Sequence, residues 1–410
     1  MEEVRVSLHE NDYANGSNKA NAPKRRLESL DGLRGLTIIL MITANYQMEE
    51  PFPQIEHAEW DGFTIADAIF PTFVFVMGMA IPLALGSIPI NTGLWLRVVK
   101  RSVLLWAIGG FLNGFPFTDR DLTSTYRYVG VLQRLGLCYF VLSVVFLLSR
   151  KYREAGGIYL RYVFPISSLL IWFLVTYFVN VPGCGRGLLT PECSVEGYID
   201  TRVWGMSHNY EGAEYDPEGV LSTATSLVTC WLGVMVGLNM RQIRHRLCDT
   251  QSRFRKVAQL LLLGLALMFL AYALNTFIPV IKKLWTPTFV LMAGGVSLCL
   301  LGLLMYLVDV LNLLYSPVKP VQVVFRSLLK VGANPLLIYA LSELIIAGLS
   351  AIPVKLRGED ANPLRVLYTY VLSSWLPKSL SSLILSQLFI WLIFVPLAWF
   401  LDNKGWYLKA

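Results

Sequence analysis

The sequence predicts an all-α, polytopic transmembrane helix bundle of about ten spans with both termini cytosolic, on three observations. Of its 410 residues, 55% are hydrophobic and only 15% are charged, too little charge to cover a soluble domain of this length. Apolar runs of about 18 residues or more recur along the chain, each long enough to cross roughly 30 Å of hydrocarbon. The basic residues fall in alternate loops, which is the charge asymmetry that orients membrane proteins.

Taken in order, residues 1–28 are polar and read as a disordered cytosolic tail. No apolar segment precedes residue 35, so no cleavable signal peptide is expected. A sequon, Asn15-Gly16-Ser17, would serve no purpose in a cytosolic tail. Residues 29–410 read as one transmembrane domain. Its spans are expected near 33–49, 64–86, 98–115, 128–149, 160–180, 219–240, 256–277, 285–308, 328–350 and 379–401. Residues 363–376 are amphipathic and are expected to lie at the interface. The longest polar insert, about 182–217, is too small to bury a core of its own.

Loop charge supports this map. One side holds Lys24, Arg25, Arg26 and Arg34, then Arg97, Lys100 and Arg101, then Arg150, Lys151, Arg153 and Arg161. The densest cluster follows: Arg241, Arg244, Arg246, Arg253, Arg255 and Lys256. In all, 24 Lys and Arg fall on this cytosolic side and 10 on the far side, with Arg134 inside a span. The net charge of +7 is therefore a topology signal, and no nucleic-acid partner is expected. Four of the six cysteines, Cys138, Cys230, Cys248 and Cys299, sit in or beside spans or on the cytosolic side. Cys184 and Cys193 share the longest far-side loop, where an oxidising compartment would let them pair as a disulfide. Two free thiols are the alternative.

Ionisable groups inside a membrane are costly, so they mark function or obligate pairing. Asp67 sits one turn into the second span, and Arg134 two turns into the fourth, beside Gln133. They are expected to pair across facing helices, as a structural salt bridge or as part of a site. Asp31 and Arg34 open the first span, which snorkelling and capping explain. Asn45 lies near the far end of that span, and Asn334-Pro335 opens the ninth. Glu343 has no obvious local partner. His57 lies in Glu56-His57-Ala58-Glu59-Trp60-Asp61-Gly62, a short far-side loop before the second span, where a neutral imidazole could take a proton from a nucleophile; an ordinary solvated loop histidine is the alternative. Of the other histidines, His9 and His245 are assigned to the cytosol and His208 to the far-side loop. No HxH, HExxH or CxxC spacing occurs, so no metal is expected. Neither a GxSxG elbow nor a phosphate-binding Gly loop occurs. Composition and spacing thus reach a membrane bundle with a polar far-side vestibule, which fits a transporter as well as an enzyme.

Several motifs carry the reading further. Arg26-Leu27-Glu28-Ser29-Leu30-Asp31-Gly32-Leu33-Arg34-Gly35 leads to Asn45-Tyr46. His57-Ala58-Glu59-Trp60-Asp61-Gly62 leads through Ala66-Asp67 into Phe70-Pro71-Thr72-Phe73-Val74-Phe75-Val76-Met77-Gly78. Then come Gly130-Val131-Leu132-Gln133-Arg134-Leu135-Gly136, Val181-Pro182-Gly183-Cys184, Gly197-Tyr198-Ile199-Asp200 and Tyr215-Asp216-Pro217-Glu218-Gly219. Phe277-Ile278-Pro279-Val280, Leu284-Trp285 and Gly332-Ala333-Asn334-Pro335 complete the set. In this order, over about residues 26–350, they resemble the heparan-α-glucosaminide N-acetyltransferase family. There are two departures. Animal lysosomal members carry a lumenal domain and one further span before this region, where this chain has a short polar tail. The family's YxxHE in the ninth span is Tyr339-Ala340-Leu341-Ser342-Glu343 here, which keeps the carboxylate and loses the histidine.

The resemblance implies transfer of an acetyl group from cytosolic acetyl-CoA to the amine of a terminal glucosamine, as in heparan sulfate, on the far side of the bilayer. His57 would be the general base or a transient acetyl carrier, with Asn45 donating to the thioester oxygen. The acceptor would be anchored by Asp67, Arg134, Gln133, Asp216, Glu218, Trp60, Asn334 and Glu343. The phosphates of CoA would meet Arg34, Arg97, Lys100, Arg101, Arg241 and Arg244. The implied partners are acetyl-CoA, an amino-sugar glycan and the lipid bilayer, with a homodimer left open. A lysosomal or other endomembrane location is implied, with the plasma membrane as the alternative. The competing readings are a transporter of an anionic solute and an acyltransferase for a different sugar.

Overall fold

The computed structural model describes residues 27–117, 122–243, 249–356 and 359–408. Nearly all of the expected tail 1–28, the Asn15 sequon, His9, His245, Cys248, Arg244 and Arg246 lie outside them. The described chain is helical apart from one two-stranded hairpin, Val354–Leu356 with Glu359–Ala361. Five helices lead up to the longest far-side loop: α1 (Glu28–Asn45), α2 (Ile65–Leu85), α3 (Thr92–Gly114), α4 (Val131–Lys151) and α5 (Arg153–Phe178). A short α6 (Val195–Trp204) lies in that loop. Then follow α7 (Val220–Ile243), α8 (Thr250–Leu274), α9 (Pro287–Val310), α10 (Lys319–Ala333), α11 (Pro335–Ala351) and α12 (Lys378–Asn403).

Seven of these, α2, α4, α5, α7, α8, α9 and α12, are long and apolar enough to cross a bilayer. With them the protein is a multi-pass membrane bundle. Helices α1 and α3 stand where the first and third spans were expected, but Glu28, Asp31 and Arg34 in one and Arg97, Lys100 and Arg101 in the other make them more polar. The ninth span, expected near 328–350, is broken at Asn334-Pro335. The chain bends by 89° between α10 and α11. Pro335 lacks an N–H and disfavours helical backbone in the residue before it, and Asn334 is accordingly at φ −128°, ψ 50°. Helix α10 is amphipathic and runs nearly perpendicular to α11.

Helix α2 is the centre of the bundle, sheathed over most of its length, whereas α8 is mostly exposed at the periphery. Close backbone crossings seat α2 against α7: a Cβ on Gly78 would overlap the Cys230 carbonyl, and one on Gly233 the Phe75 carbonyl. Such small-residue contacts are how helices pack where lipid supplies no hydrophobic drive. The same device joins α1 to α10, where Gly35 meets the Leu328 carbonyl and Gly332 meets that of Asp31. Just beyond, Asn334 donates to the Trp406 carbonyl at 2.9 Å and accepts from the Leu408 N–H at 3.0 Å. Both ends of the described chain therefore lie at one end of the bundle.

The segment between α5 and α7 forms a small cap at the other end. Cys184 and Cys193 are disulfide-bonded, with Cα atoms 5.6 Å apart. The Ser194 hydroxyl caps α6. Asp200 accepts from the Val220 N–H at 2.9 Å and so caps α7. Glu196 is 1% exposed and accepts from the Trp172 indole at 2.8 Å, while its second oxygen has no hydrogen-bond partner among the described residues. Burial pushes both Glu196 and Asp200 up to about 7.

Two predictions follow from this packing. Gly332→Val must push α10 off α1, and overpacking of this kind costs about 1–3 kcal/mol; thermal unfolding in detergent should register the loss, and an unchanged midpoint would contradict the crossing. A carboxyl raised in the fold binds its proton more tightly there than in the unfolded chain. Its contribution therefore favours folding at acidic pH, and stability falls as pH rises from about 4 to about 7. Glu196→Gln removes one such group, so the variant should gain stability relative to the parent at pH 8 and little at pH 4. A parent-minus-variant difference independent of pH would contradict this assignment.

Candidate active site

At the end of the bundle that carries the cap, two loops close over the helix ends. Residues 46–64 join α1 to α2, and residues 275–286 join α8 to α9. They are bonded to each other, since the Gly62 N–H donates to the Val280 carbonyl at 3.0 Å and Asp61 bridges Ile281. Beneath them is a cavity of about 570 Å³ lined by His57, Asn45, Lys282, Glu218, Gln133 and Glu343, with apolar walls from Met41, Ile69, Phe70, Leu112 and Ile346.

His57 owes its placement to the start of α2. Asp67 is the third residue of that helix, and one carboxylate oxygen accepts from the Thr64 N–H and hydroxyl, each at 3.1 Å, and from the Ala58 N–H at 3.2 Å. The other lies 2.9 Å from His57 Nδ1. One buried carboxylate thus caps a helix, pins a loop and orients an imidazole. With Nδ1–H given to Asp67, the lone pair of the ring is on Nε2, which the Lys282 ammonium approaches at 3.3 Å. The His57 side chain is 50% exposed and Asp67 is fully buried behind it.

Lys282 completes the group. Its Nζ lies 2.9 Å from His57 Nδ1, 3.3 Å from Nε2 and 3.2 Å from Asp67 Oδ1. Burial pulls this lysine below its ordinary value, against the opposing pull of Asp67. Across the cavity, Asn45 Nδ2 donates to Glu343 Oε1 at 2.6 Å. Arg127 forks onto Asp216 at 2.8 and 2.6 Å, pairs with Glu218 and lies over the Tyr210 ring.

Of the residues singled out in the sequence, His57, Asn45, Gln133, Glu218 and Glu343 meet in the cavity. The expected Asp67–Arg134 pair is not formed. Asp67 is matched by Lys282, and Arg134 instead donates to Ser222 and to the Gly219 carbonyl, with its guanidinium over Trp285. Asp216 is buried against Arg127 and the Tyr210 and Glu218 N–H groups, so its oxygens are taken. Trp60 donates to the Leu189 carbonyl and packs edge-on against Tyr215, outside the cavity lining. Asn334 sits at the hinge, holding the chain's C-terminal segment. Glu343 does have a partner, Asn45.

Of the proposed CoA contacts, Arg34, Arg97, Lys100 and Arg241 lie toward the opposite end, whereas Arg101 is about midway along α3 and stacks midway along α4. Arg34 pairs with Asp31 at 2.9 Å. Arg97 and Lys100 are exposed. Arg101 lies over the Tyr139 ring at 4.4 Å, with its Nε buried and without a hydrogen-bond partner among the described residues. Arg241 donates to Ser87 at 3.3 Å. Arg244 lies outside the described residues. The sequence reading missed Lys282 and Arg127. A signal existed for both: far-side loops are poor in Lys and Arg, so the few present there invite a reason. No group of three or more His, Cys, Asp or Glu that could hold a metal occurs among the described residues.

Residues 26–177 match the family model described as heparan-alpha-glucosaminide N-acetyltransferase, catalytic. The chain is 32% identical over 332 residues to the human heparan-alpha-glucosaminide N-acetyltransferase, a match covering 70% of this chain and 50% of the human protein. Against the mouse protein of the same name it is 31% identical over 346 residues, covering 74% and 52%. The chain thus spans about half the length of the curated relatives it matches. The range of the family-model match includes Asn45, His57 and Asp67, and over most of its length the chain is similar to the heparan-alpha-glucosaminide N-acetyltransferases.

Proposed function

We propose that this protein transfers an acetyl group from acetyl-CoA, held at the basic end of the bundle, to the amine of a terminal glucosamine at the cavity end. The observation that carries the proposal is His57, fixed by a buried carboxylate and set in a cavity that also holds Asn45, Lys282, Gln133, Glu218 and Glu343. The phosphates of CoA cannot enter hydrocarbon, so they meet Arg34, Arg97, Lys100 and Arg241 at the basic end, with Arg101 deeper along α3. The uncharged pantetheine arm carries the thioester inward between the helices. An acidic endomembrane compartment such as the lysosome suits the cavity side.

The amine arrives as an ammonium and has no lone pair until a proton leaves. His57 Nε2 takes that proton as the nitrogen attacks the thioester carbonyl. Negative charge then gathers on the carbonyl oxygen. Asn45 has two N–H donors, of which Glu343 takes one. The second is available to the oxyanion, and Glu343 holds the amide in the orientation that offers it. Collapse of the intermediate breaks the C–S bond, the thiolate of CoA takes up the proton held by His57, and the second proton that the nitrogen loses on becoming an amide passes to solvent, so ammonium and thioester give amide, thiol and one released proton. Glu218 and Gln133, which line the same cavity, hydrogen-bond the acceptor sugar. His57 as a transient acetyl carrier uses the same imidazole and the same partners.

The right-angle break at Asn334 favours a second reading, because transporters use interrupted helices. They use them in pairs related by an internal repeat, and among the described residues one helix pair is bent in this way. One assay separates the readings. Purified protein is given acetyl-CoA with and without a glucosaminide, and free thiol is measured. Acceptor-dependent release is expected, reduced about 10²–10⁴-fold in His57→Ala and about 10²–10³-fold in Asn45→Ala, the cost of one oxyanion donor. Full activity in His57→Ala would remove the imidazole from its role, and no release with any amino sugar would favour transport.

A further inference from the structure

We infer that Lys282 is a positioning residue for the proton transfer, the counter-charge to Asp67 that leaves the imidazole of His57 free to act as a base. This rests on the reading of His57 given above. Lys282 comes from the α8–α9 loop, far from His57 in sequence. Its position is set by a rigid turn. Val280 N–H donates to the Asn275 side chain at 2.9 Å, and Ile281 N–H to the Thr286 hydroxyl at 3.1 Å. Trp285 N–H donates to the Lys282 carbonyl at 3.0 Å. The turn is in turn bonded to the loop that carries His57. The Lys282 side chain is 17% exposed, and its Nζ sits within 3.3 Å of both ring nitrogens and of Asp67 Oδ1.

The physical reason is charge balance. Asp67 is a fully buried carboxylate. Its hydrogen bonds from Ala58 and Thr64 lower the cost of burying it, but they bring no net positive charge. With Lys282 in place, carboxylate and ammonium cancel, and the ring can remain neutral beside them. Without Lys282, the only remaining cation in contact with Asp67 among the described residues would be a protonated His57. An opposite charge at this distance moves a proton equilibrium by about 1–3 pH units. The imidazole would then carry its proton where it must accept one. Other charged groups near the ring do not substitute for the ammonium. Glu56, Glu59 and Asp61 of the same loop, and Glu218 and Glu343 of the cavity wall, are all acidic. Arg127 is committed to Asp216 and Glu218. Lys283 donates to the Glu59 carbonyl and lies over Trp60.

The experiment is the pH profile of kcat/KM for acceptor-dependent thiol release, from pH 5 to 9, in the full-length protein. Lys282→Met should move the acid limb about 1–3 units towards alkaline pH, with activity recovering at the alkaline end. Lys282→Arg, which keeps the charge, should leave the limb near its original position. The double variant Asp67→Asn/Lys282→Met removes both charges and should bring the limb back towards the parent's. A Lys282→Met profile of parental shape, merely scaled down, would overturn the inference. So would a double variant whose limb stays with that of Lys282→Met. Should Lys282→Met fail to fold, the double variant against Asp67→Asn alone decides. Asp67→Asn leaves the ammonium unopposed beside the ring and should move the limb towards acid, and identical limbs in the two would overturn the proposal. If the parent releases no thiol with acceptor, or His57→Ala matches it, the failure lies instead with the acetyltransfer reading.

Discussion

A single buried carboxylate, Asp67, is the constraint on which the cavity end of this protein depends. Its two oxygens serve the N-terminus of α2, the backbone of the preceding loop, an imidazole and an ammonium. A charge so placed would be expensive without these partners. The partners come from three separate parts of the chain. The carboxylate therefore ties the α1–α2 loop, the first turn of α2 and the α8–α9 loop into one unit. Because α2 is the most enclosed of the seven spanning helices, the group that orients His57 rests on a helix packed by neighbours over most of its length.

The rest of the bundle can be understood as what keeps α2 and its neighbours close. Glycine crossings bring α7 against α2, and α10 against α1, to backbone contact. The α10–α11 hinge then redirects the chain so that α11 runs beside α1 and delivers Glu343 to Asn45. Asn334 fastens that hinge to the C-terminal segment, and Lys330 pairs with Asp402 beside it. A polar residue that looks like part of a site in the sequence thus has a mechanical role some distance from it. The cap between α5 and α7 plays a similar part at the other end, where Asp200 holds the start of α7 and Arg127 locks Asp216 and Glu218 over the cavity.

Much of this was legible in the sequence. Apolar runs located helices close to all ten expected positions, because a bilayer imposes length and composition locally. His57, Asn45 and Glu343 were recognisable as polar residues at span ends or within spans, where each needs a reason. What was not legible is which charge meets which. The pairing of Asp67 with Arg134 was reasonable from depth alone, but depth does not specify rotation about the helix axis. Arg134 faces Ser222 and Trp285, and the loop lysine reaches the carboxylate first. The hinge was hidden for a related reason. Asn334-Pro335 is compatible with either a helix start or a break, and only the amphipathic character of residues 319–333 favours the break.

The two ends of the bundle are chemically different, and that difference fits the reaction we propose. The basic end offers arginines and lysines, and Arg101, deeper along α3, has a buried nitrogen with no hydrogen-bond partner among the described residues. Anionic phosphates are the natural complement to such a surface. Around the cavity, by contrast, Arg127, Lys282 and Lys283 each lie against a carboxylate, an aromatic face or a backbone carbonyl. The cavity end is built to control a proton rather than to hold a polyanion. A thioester carrier needs both environments at once, because its charge must stay at one face while its acyl carbon is attacked at the other. The span between them is set by helix length, and an α-helix of about 20 residues covers roughly 30 Å. The uncharged middle of the carrier is the only part that must cross it, which is why the intervening helices can remain apolar.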